Sequence, residues 1–264
     1  MRALGYRARR SEVDEEKRLK PKRMMLAMVA IGISVGALGA IAGIPATGAG
    51  QAGASAEGIK ITLDRNVGDA ATGEFKFARV PSPVADDAGA RAKLTLVAGI
   101  MDPNSGGLAA LTDGWLPSQE DEPESNFFFD ERTWGGRIRM DLGSVIEIAQ
   151  VNSYSWHYGD RGPQNYVMYA SDGTAPNFNP APTTDVDPTT VGWRRIARVD
   201  TRPRKNGVII PEGMELGGQY GVSITGAGGS IGKFRYLLFD IFEAEWEDDW
   251  GNTFYSEIDV VGKK

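Results

Sequence analysis

The chain of 264 residues reads as an all-β protein, an antiparallel β-sandwich or barrel, on three observations beyond residue 56. Short stretches with strand character recur, clusters of Gly, Pro, Asn and Asp separate them, and long segments with a 3.6-residue apolar period are missing. The expected strands are 58–63, 74–80, 93–97, 126–129, 137–142, 145–156, 165–170, 193–200, 207–210, 219–224, 233–242 and 253–261. Two alternate cleanly. Ile138, Met140 and Leu142 point one way against Arg137, Arg139 and Asp141, and Phe254, Ile258 and Val260 oppose Tyr255, Glu257 and Asp259. The strand from Val145 breaks its alternation near Ala149 to Val151, which predicts a bulge or burial on both faces. Three loops stand out: the acidic 115–125, the Pro-, Asn-, Thr- and Asp-rich 171–192, and the small-residue 225–232. A loop as long as the second is expected to be functional or disordered.

The first 56 residues follow another plan. They carry nine Lys+Arg against four Asp+Glu, +5, whereas residues 57–264 carry 20 against 31, −11. The basic run 17–23 leads into 24–44, 21 residues without a charge, then Pro45 and small residues ending Ala54-Ser55-Ala56. That order is a secretory leader with cleavage after Ala56, the alternative being an uncleaved membrane anchor. Arg9-Arg10 lies too far from the apolar run for a twin-arginine signal. Residues 57–264 are therefore expected outside the cytoplasm, secreted, periplasmic or at the cell surface, and they meet a membrane only through an uncleaved leader.

Composition excludes several mechanisms. With no cysteine there are no disulfides, thiolate zinc sites or cysteine nucleophiles, and one histidine rules out multi-histidine metal centres. The acidic surface argues against nucleic acid and anionic lipid. Gly32-Ile-Ser-Val-Gly36 satisfies G-x-S-x-G, but it lies in the leader, where no strand-to-helix elbow forms. A phosphate-loop reading of 227–233 fails because Ala227 replaces the first glycine and Phe234 follows the lysine.

The succession Leu111-Thr-Asp-Gly114, Arg137-Ile-Arg-Met-Asp-Leu-Gly143, Ile146 to Val151, Arg161 and Asn165-Tyr-Val-Met-Tyr-Ala-Ser-Asp-Gly173 resembles the discoidin or coagulation-factor type C domain. The resemblance continues through Gly192-Trp-Arg-Arg-Ile, Lys233-Phe-Arg-Tyr-Leu-Leu-Phe and Ser256-Glu-Ile-Asp-Val-Val-Gly262. It covers roughly 108–262 and leaves 57–107 as an N-terminal extension with added strands. The wording around Asn126-Phe-Phe-Phe-Asp and Ser155-Trp-His-Tyr is also similar to a group of exported proteins from planctomycete-type bacteria. The resemblance implies an antiparallel jelly-roll β-sandwich, galactose-binding-like, that binds carbohydrate, phospholipid or protein through loops at one end; fold does not choose among these.

It also implies one structural calcium ion, because the matching positions of carbohydrate-binding relatives hold an Asp-Gly loop and a final-strand Glu, here Asp113 and Glu257. Calcium takes six to eight oxygens, so backbone carbonyls near Ala110 and Trp115 and the Ser118 hydroxyl would complete the shell. The bland alternative is an ordinary turn at Asp113-Gly114 and an outward Glu257. No organic cofactor is expected. For ligand binding, Trp156, His157 and Arg161 concentrate an aromatic ring and hydrogen-bonding groups in one turn, and Trp250 offers a second aromatic wall. The alternative makes Trp156 a cap on the core and Arg161 the partner of an acid. The acidic runs 120–122 and 245–249 read as solvated faces rather than paired catalytic carboxylates. The expected function is a non-catalytic module for carbohydrate or another extracellular polymer, with an adhesive surface protein and a hydrolase as competitors; ligand identity and oligomeric state stay open.

Overall fold

The computed structural model describes residues 55–131, 133–209, 217–244 and 252–264. The expected leader, the acidic run 245–249 and Trp250 lie outside these residues, apart from the leader's last two positions. Among the described residues the regular structure is β-strand with short 3-10 turns, and no helix is long and apolar enough to cross a membrane.

The described residues form ten strands in chain order: β1 (Ile59–Asn66), β2 (Lys93–Ala98), β3 (Gly135–His157), β4 (Asn165–Ser171), β5 (Arg194–Asp200), β6 (Arg204–Lys205), β7 (Val208–Ile209), β8 (Gly218–Gly226), β9 (Gly232–Phe242) and β10 (Tyr255–Gly262). Every pairing is antiparallel. The 23-residue β3 belongs to two layers. Its first part lies between β2 and β9, with β4 and β5 beyond β9; its second part lies between β10 and β8, with β1 beyond β8. The switch occurs where the register slips between Asp141 and Ile146, and Gly143, at φ +81°, makes the bend that a residue with a Cβ would resist. At the free edges the Ala56 amide donates to the Ile196 carbonyl (3.0 Å), bringing the start of β1 close to β5. The result is an all-β antiparallel sandwich, nearly closed, consistent with a jelly roll.

Its core holds the residues that alternation turns inward, among them Ile138 and Met140 of β3, Met168 of β4, Val222 and Ile224 of β8, Phe239 of β9 and Ile258 and Val260 of β10. Gly136 admits Phe129 to this core: a Cβ there would lie 2.3 Å from the Ala98 carbonyl oxygen and 2.5 Å from the Phe129 ring.

Several expectations are corrected. Residues 74–80 form no strand, and 126–129 contribute only bridges, Phe127 to Tyr255 and Phe129 to Met101. The two expected strands 137–142 and 145–156 are one strand. An irregularity does occur at Ala149, where β10 skips a residue between Gln150 and Ile148. Tyr255 turns into the core, not outward, because the register shifts between Tyr255 and Glu257.

Both outer faces are covered. Residues 67–92 cross the face of the β10-β3-β8-β1 layer, where Phe75 meets Trp156 edge-on (5.7 Å, 85°), Phe77 stacks on Tyr154 and Tyr154 Oη donates to the Pro81 carbonyl (2.8 Å). Loop 171–192, expected to be functional or disordered, covers the other layer, with Phe178 packed on Trp193 and Tyr236. Arg137 ties it down: the guanidinium makes two bonds to Asp240 (2.9 and 3.0 Å) and donates to the carbonyls of Thr183 (2.6 Å) and Val186 (2.8 Å).

Candidate functional site

Alternation sends Glu257 and Asp259 to the outer side of β10, where solvent would be expected, yet residues 67–92 and the 111–118 loop close over them. Glu257 is 1% exposed. Its Oε2 accepts from the Gly114 amide (3.1 Å), while Oε1 is buried with no hydrogen-bond partner. Burial chiefly, then the charge of Asp259, pushes the Glu257 carboxyl up to about 8; the Gly114 bond works the other way, and Asp113 and Asp87 add repulsion. Asp259 accepts from Asn152 Nδ2 (3.4 Å) and lies 3.1 Å from Tyr154 Oη, whose one proton it shares with the Pro81 carbonyl, and burial together with Asp87 pushes it up to about 6. Asp87, itself raised by burial, accepts from the amides of Val260 (2.8 Å) and Gly89 (2.5 Å).

Asp113 is exposed and accepts from the Trp115 amide (2.9 Å), an Asx turn at the head of the loop that delivers Gly114 to Glu257. The structure thus brings Asp113 and Glu257 into one electrostatic neighbourhood from positions 144 residues apart in the chain. Ser118 belongs elsewhere: its hydroxyl and amide both donate to Glu122 Oε2 (2.8 Å each). Among the described residues no three His, Asp or Glu side chains already converge as a metal-binding group. An orphaned buried carboxylate oxygen is nonetheless what a hard cation would satisfy, with backbone carbonyls supplying the remaining oxygens.

The ligand residues named from sequence are placed differently from the expected open turn. Trp156 is 5% exposed, its ring in the small core with Phe75, Val80 and Tyr154. His157 is buried between Phe254 and Tyr158, with ring centroids 4.3 Å from each. Its Nδ1 donates to the Tyr158 carbonyl, which can only accept, and Nε2 lies 3.7 Å from Asp121 Oδ1. Arg161 lies over the Phe254 ring at 4.4 Å, and Phe254 in turn stacks on Phe128 at 4.0 Å. Neither Trp156 nor His157 therefore offers an open ring face to a sugar. They pack the loops together: the Phe254 amide donates to the Arg161 carbonyl (3.0 Å), and Asn252 Nδ2 donates to the Thr133 carbonyl (3.2 Å).

Among the described residues the aromatic rings that face solvent are others. Trp134 is 86% exposed and Trp115 76%, with Tyr158 and Phe242 partly open. No protein-family model matches this chain, and no curated protein does. Among solved structures it is similar to CpGH89CBM32-6 produced by Clostridium perfringens, at 12% identity over 67% of this chain and 100% of that one, with a TM-score of 0.39. It is also similar to CpGH89CBM32-4 of Clostridium perfringens (10%, 67% and 99%, TM-score 0.40) and to SpGH29 (10%, 68% of this chain but 28% of that one, TM-score 0.36). With each TM-score below 0.5, the fold rests on this chain's own strand pairing and its chemistry on its own residues.

Sequence reasoning missed Trp115 and Trp134 as displayed rings and Asp259 and Asp87 as neighbours of Glu257. A signal existed for Asp259, which shares Glu257's face by the two-residue period.

Proposed function

We propose that this chain is an exported, non-catalytic module that binds carbohydrate or another extracellular polymer reversibly, by ring stacking and hydrogen bonds from its loops. The observation that carries the reading is the display of Trp134 and Trp115 beside the burial of Trp156 and Trp193. Burying a large apolar side chain contributes roughly 1.5–3 kcal/mol, so two indoles left in water forgo stability that a ligand would return. Enclosure of the lone His157 supports a binding rather than a hydrolytic role. A glycan array probed with the purified protein and its Trp134→Ala variant tests this: glycan signals that the variant loses are expected, and no signal with the unaltered protein overturns the reading.

Calcium is part of the same proposal. Asp113 and Glu257 would hold the ion, which would supply the positive charge that the buried Glu257 Oε1 lacks and fasten the loop bearing Trp115 to β10. The adhesive reading keeps one observation in its favour, the exposed Ile100 and Met101 next to the 127–134 segment. It predicts self-association in sedimentation velocity and a silent glycan array.

A further inference from the structure

Charge is spread unevenly over this acidic domain. Residues 57–264 hold 20 Lys and Arg against 31 acids, yet the twelve residues 194–205 hold six cations, Arg194, Arg195, Arg198, Arg202, Arg204 and Lys205, against the single acid Asp200. This stretch is β5, the edge of its layer, followed by β6 and the Asn206-Gly207 turn into β7. Arg195 and Arg198 stand opposite Tyr169 and Val167, whose side chains belong to the outer cluster, so both arginines leave β5 on its outer side. Arg202 and Arg204 both reach the Asp200 carboxylate (2.8 Å each), which leaves that trio net positive. Arg194, Arg195 and Lys205 are exposed.

Aromatic surface adjoins this row. The Arg198 guanidinium lies over the Phe242 ring at 5.2 Å and donates to Asn165 Oδ1 (2.5 Å). Phe242, partly exposed, pairs with Gly135, the neighbour of Trp134. From the end of β5 the row turns across the strand ends, Asp200 opposite Asn165 and Phe242 opposite Gly135, so that cations, an amide and the rings of Phe242 and Trp134 follow one another round the edge and one end of this layer. At ~3.3 Å per residue, β5 alone extends the row over roughly 20 Å, more than a single sugar covers.

We propose that this edge and the adjoining strand ends are the polymer-binding surface and that the ligand is an acidic polysaccharide, uronate or sulfate groups lying against Arg195 and Lys205 along β5 to β6 and a sugar ring on Trp134 and Phe242 at the end of the layer. This deepens the carbohydrate reading above and rests on it. Duplex DNA carries one charge per about 1.7 Å and buries its base faces, so it demands a broad basic surface and leaves the rings unused. A domain at −11 repels such a polyanion outside this edge. An acidic glycan spaces its charges a sugar apart and presents C–H faces to the rings.

Isothermal titration of the purified protein with polygalacturonate, chondroitin sulfate, neutral galactan and duplex DNA, at low and high salt, tests it. Polygalacturonate or chondroitin sulfate is expected to bind best, to weaken with salt, and to lose at least about tenfold in affinity both in the R195Q/K205Q double variant and in W134A, with melting temperatures unchanged. Binding of galactan alone overturns the acidic ligand and leaves the carbohydrate reading standing, whereas binding of none of the glycans overturns both. DNA binding as tight as glycan binding reduces the edge to general polyanion attraction, and undiminished affinity in the double variant removes the site from β5.

Discussion

Glu257 allows a quantitative test that joins stability to the proposed cation. Its carboxyl is raised from the ordinary 4.5 to about 8. In the cation-free domain the folded state therefore keeps a proton that the unfolded chain releases between these values. Stability from this group is fully present below about pH 4.5 and falls as pH rises toward 8. Each pH unit is worth about 1.4 kcal/mol, so between pH 5 and pH 8 the loss is about 4 kcal/mol. For a domain of this size about 2–4 °C accompanies each kcal/mol, which predicts a melting temperature lower by roughly 10 °C at pH 8 than at pH 5 in chelator. A cation that binds only the folded state and replaces the proton should restore about 2.7 kcal/mol at 100 times its dissociation constant, at pH 8 and hardly at pH 5. Glu257→Gln removes this group's titration and leaves the smaller one of Asp259, itself raised to about 6: its melting temperature should vary less across this range and ignore calcium. Differential scanning calorimetry at pH 5 and 8, with calcium and with chelator, reads all of this. A flat cation-free profile in the unaltered protein refutes the buried-acid reasoning, and an undiminished calcium shift in Glu257→Gln refutes Glu257 as a ligand.

Further expectations concern the two covers. Arg137→Leu leaves Asp240 buried and unpaired and unties loop 171–192, so it should cost about 3–5 kcal/mol in urea unfolding and speed hydrogen exchange in that loop. Phe75→Ala empties the contact with Trp156 and Tyr154, with a cost of about 3–5 kcal/mol, and should make residues 67–92 the first site of limited proteolysis. Gly136→Ala forces a methyl against the Ala98 carbonyl and Phe129; about 1–3 kcal/mol or more should be lost in urea, a larger effect than Gly143→Ala at the exposed bend. Trp134→Ala should leave the melting temperature within about 1 °C of the unaltered protein, since the ring is open to solvent.

Much of the fold was legible in the chain because a strand writes itself into sequence as a two-residue period. Ile138 and Met140, Ile258 and Val260 turn inward as their alternation requires. Tyr255 breaks the pattern because a register shift costs one residue, and a single slip exchanges the faces. Residues 74–80 alternate like a strand yet find no neighbouring edge. Their apolar side chains fill a second small core instead, and periodicity reports which face is apolar without saying what meets it.

The same limit governed the site. Asp113 and Glu257 were named from motif positions, and the fold sets them in one electrostatic neighbourhood. Trp156 and His157 were named from composition, which cannot distinguish a ring that stacks on a ligand from one that stacks on Phe75 or Phe254. By itself the sequence determined the β-class, the inward face of most strands, the lack of cysteine chemistry and the contrast between a basic first 56 residues and an acidic remainder, all properties carried by local pattern or by count. Only the tertiary structure decided which outward faces stay wet. Residues 67–92 close on Tyr154, Trp156 and Asp259 and residues 171–192 on Arg137 and Tyr236, all partners distant in the chain, and this closure helped bury Glu257, Asp259, Arg137 and Asp240 while leaving Trp134 and Arg194 and Arg195 of β5 exposed.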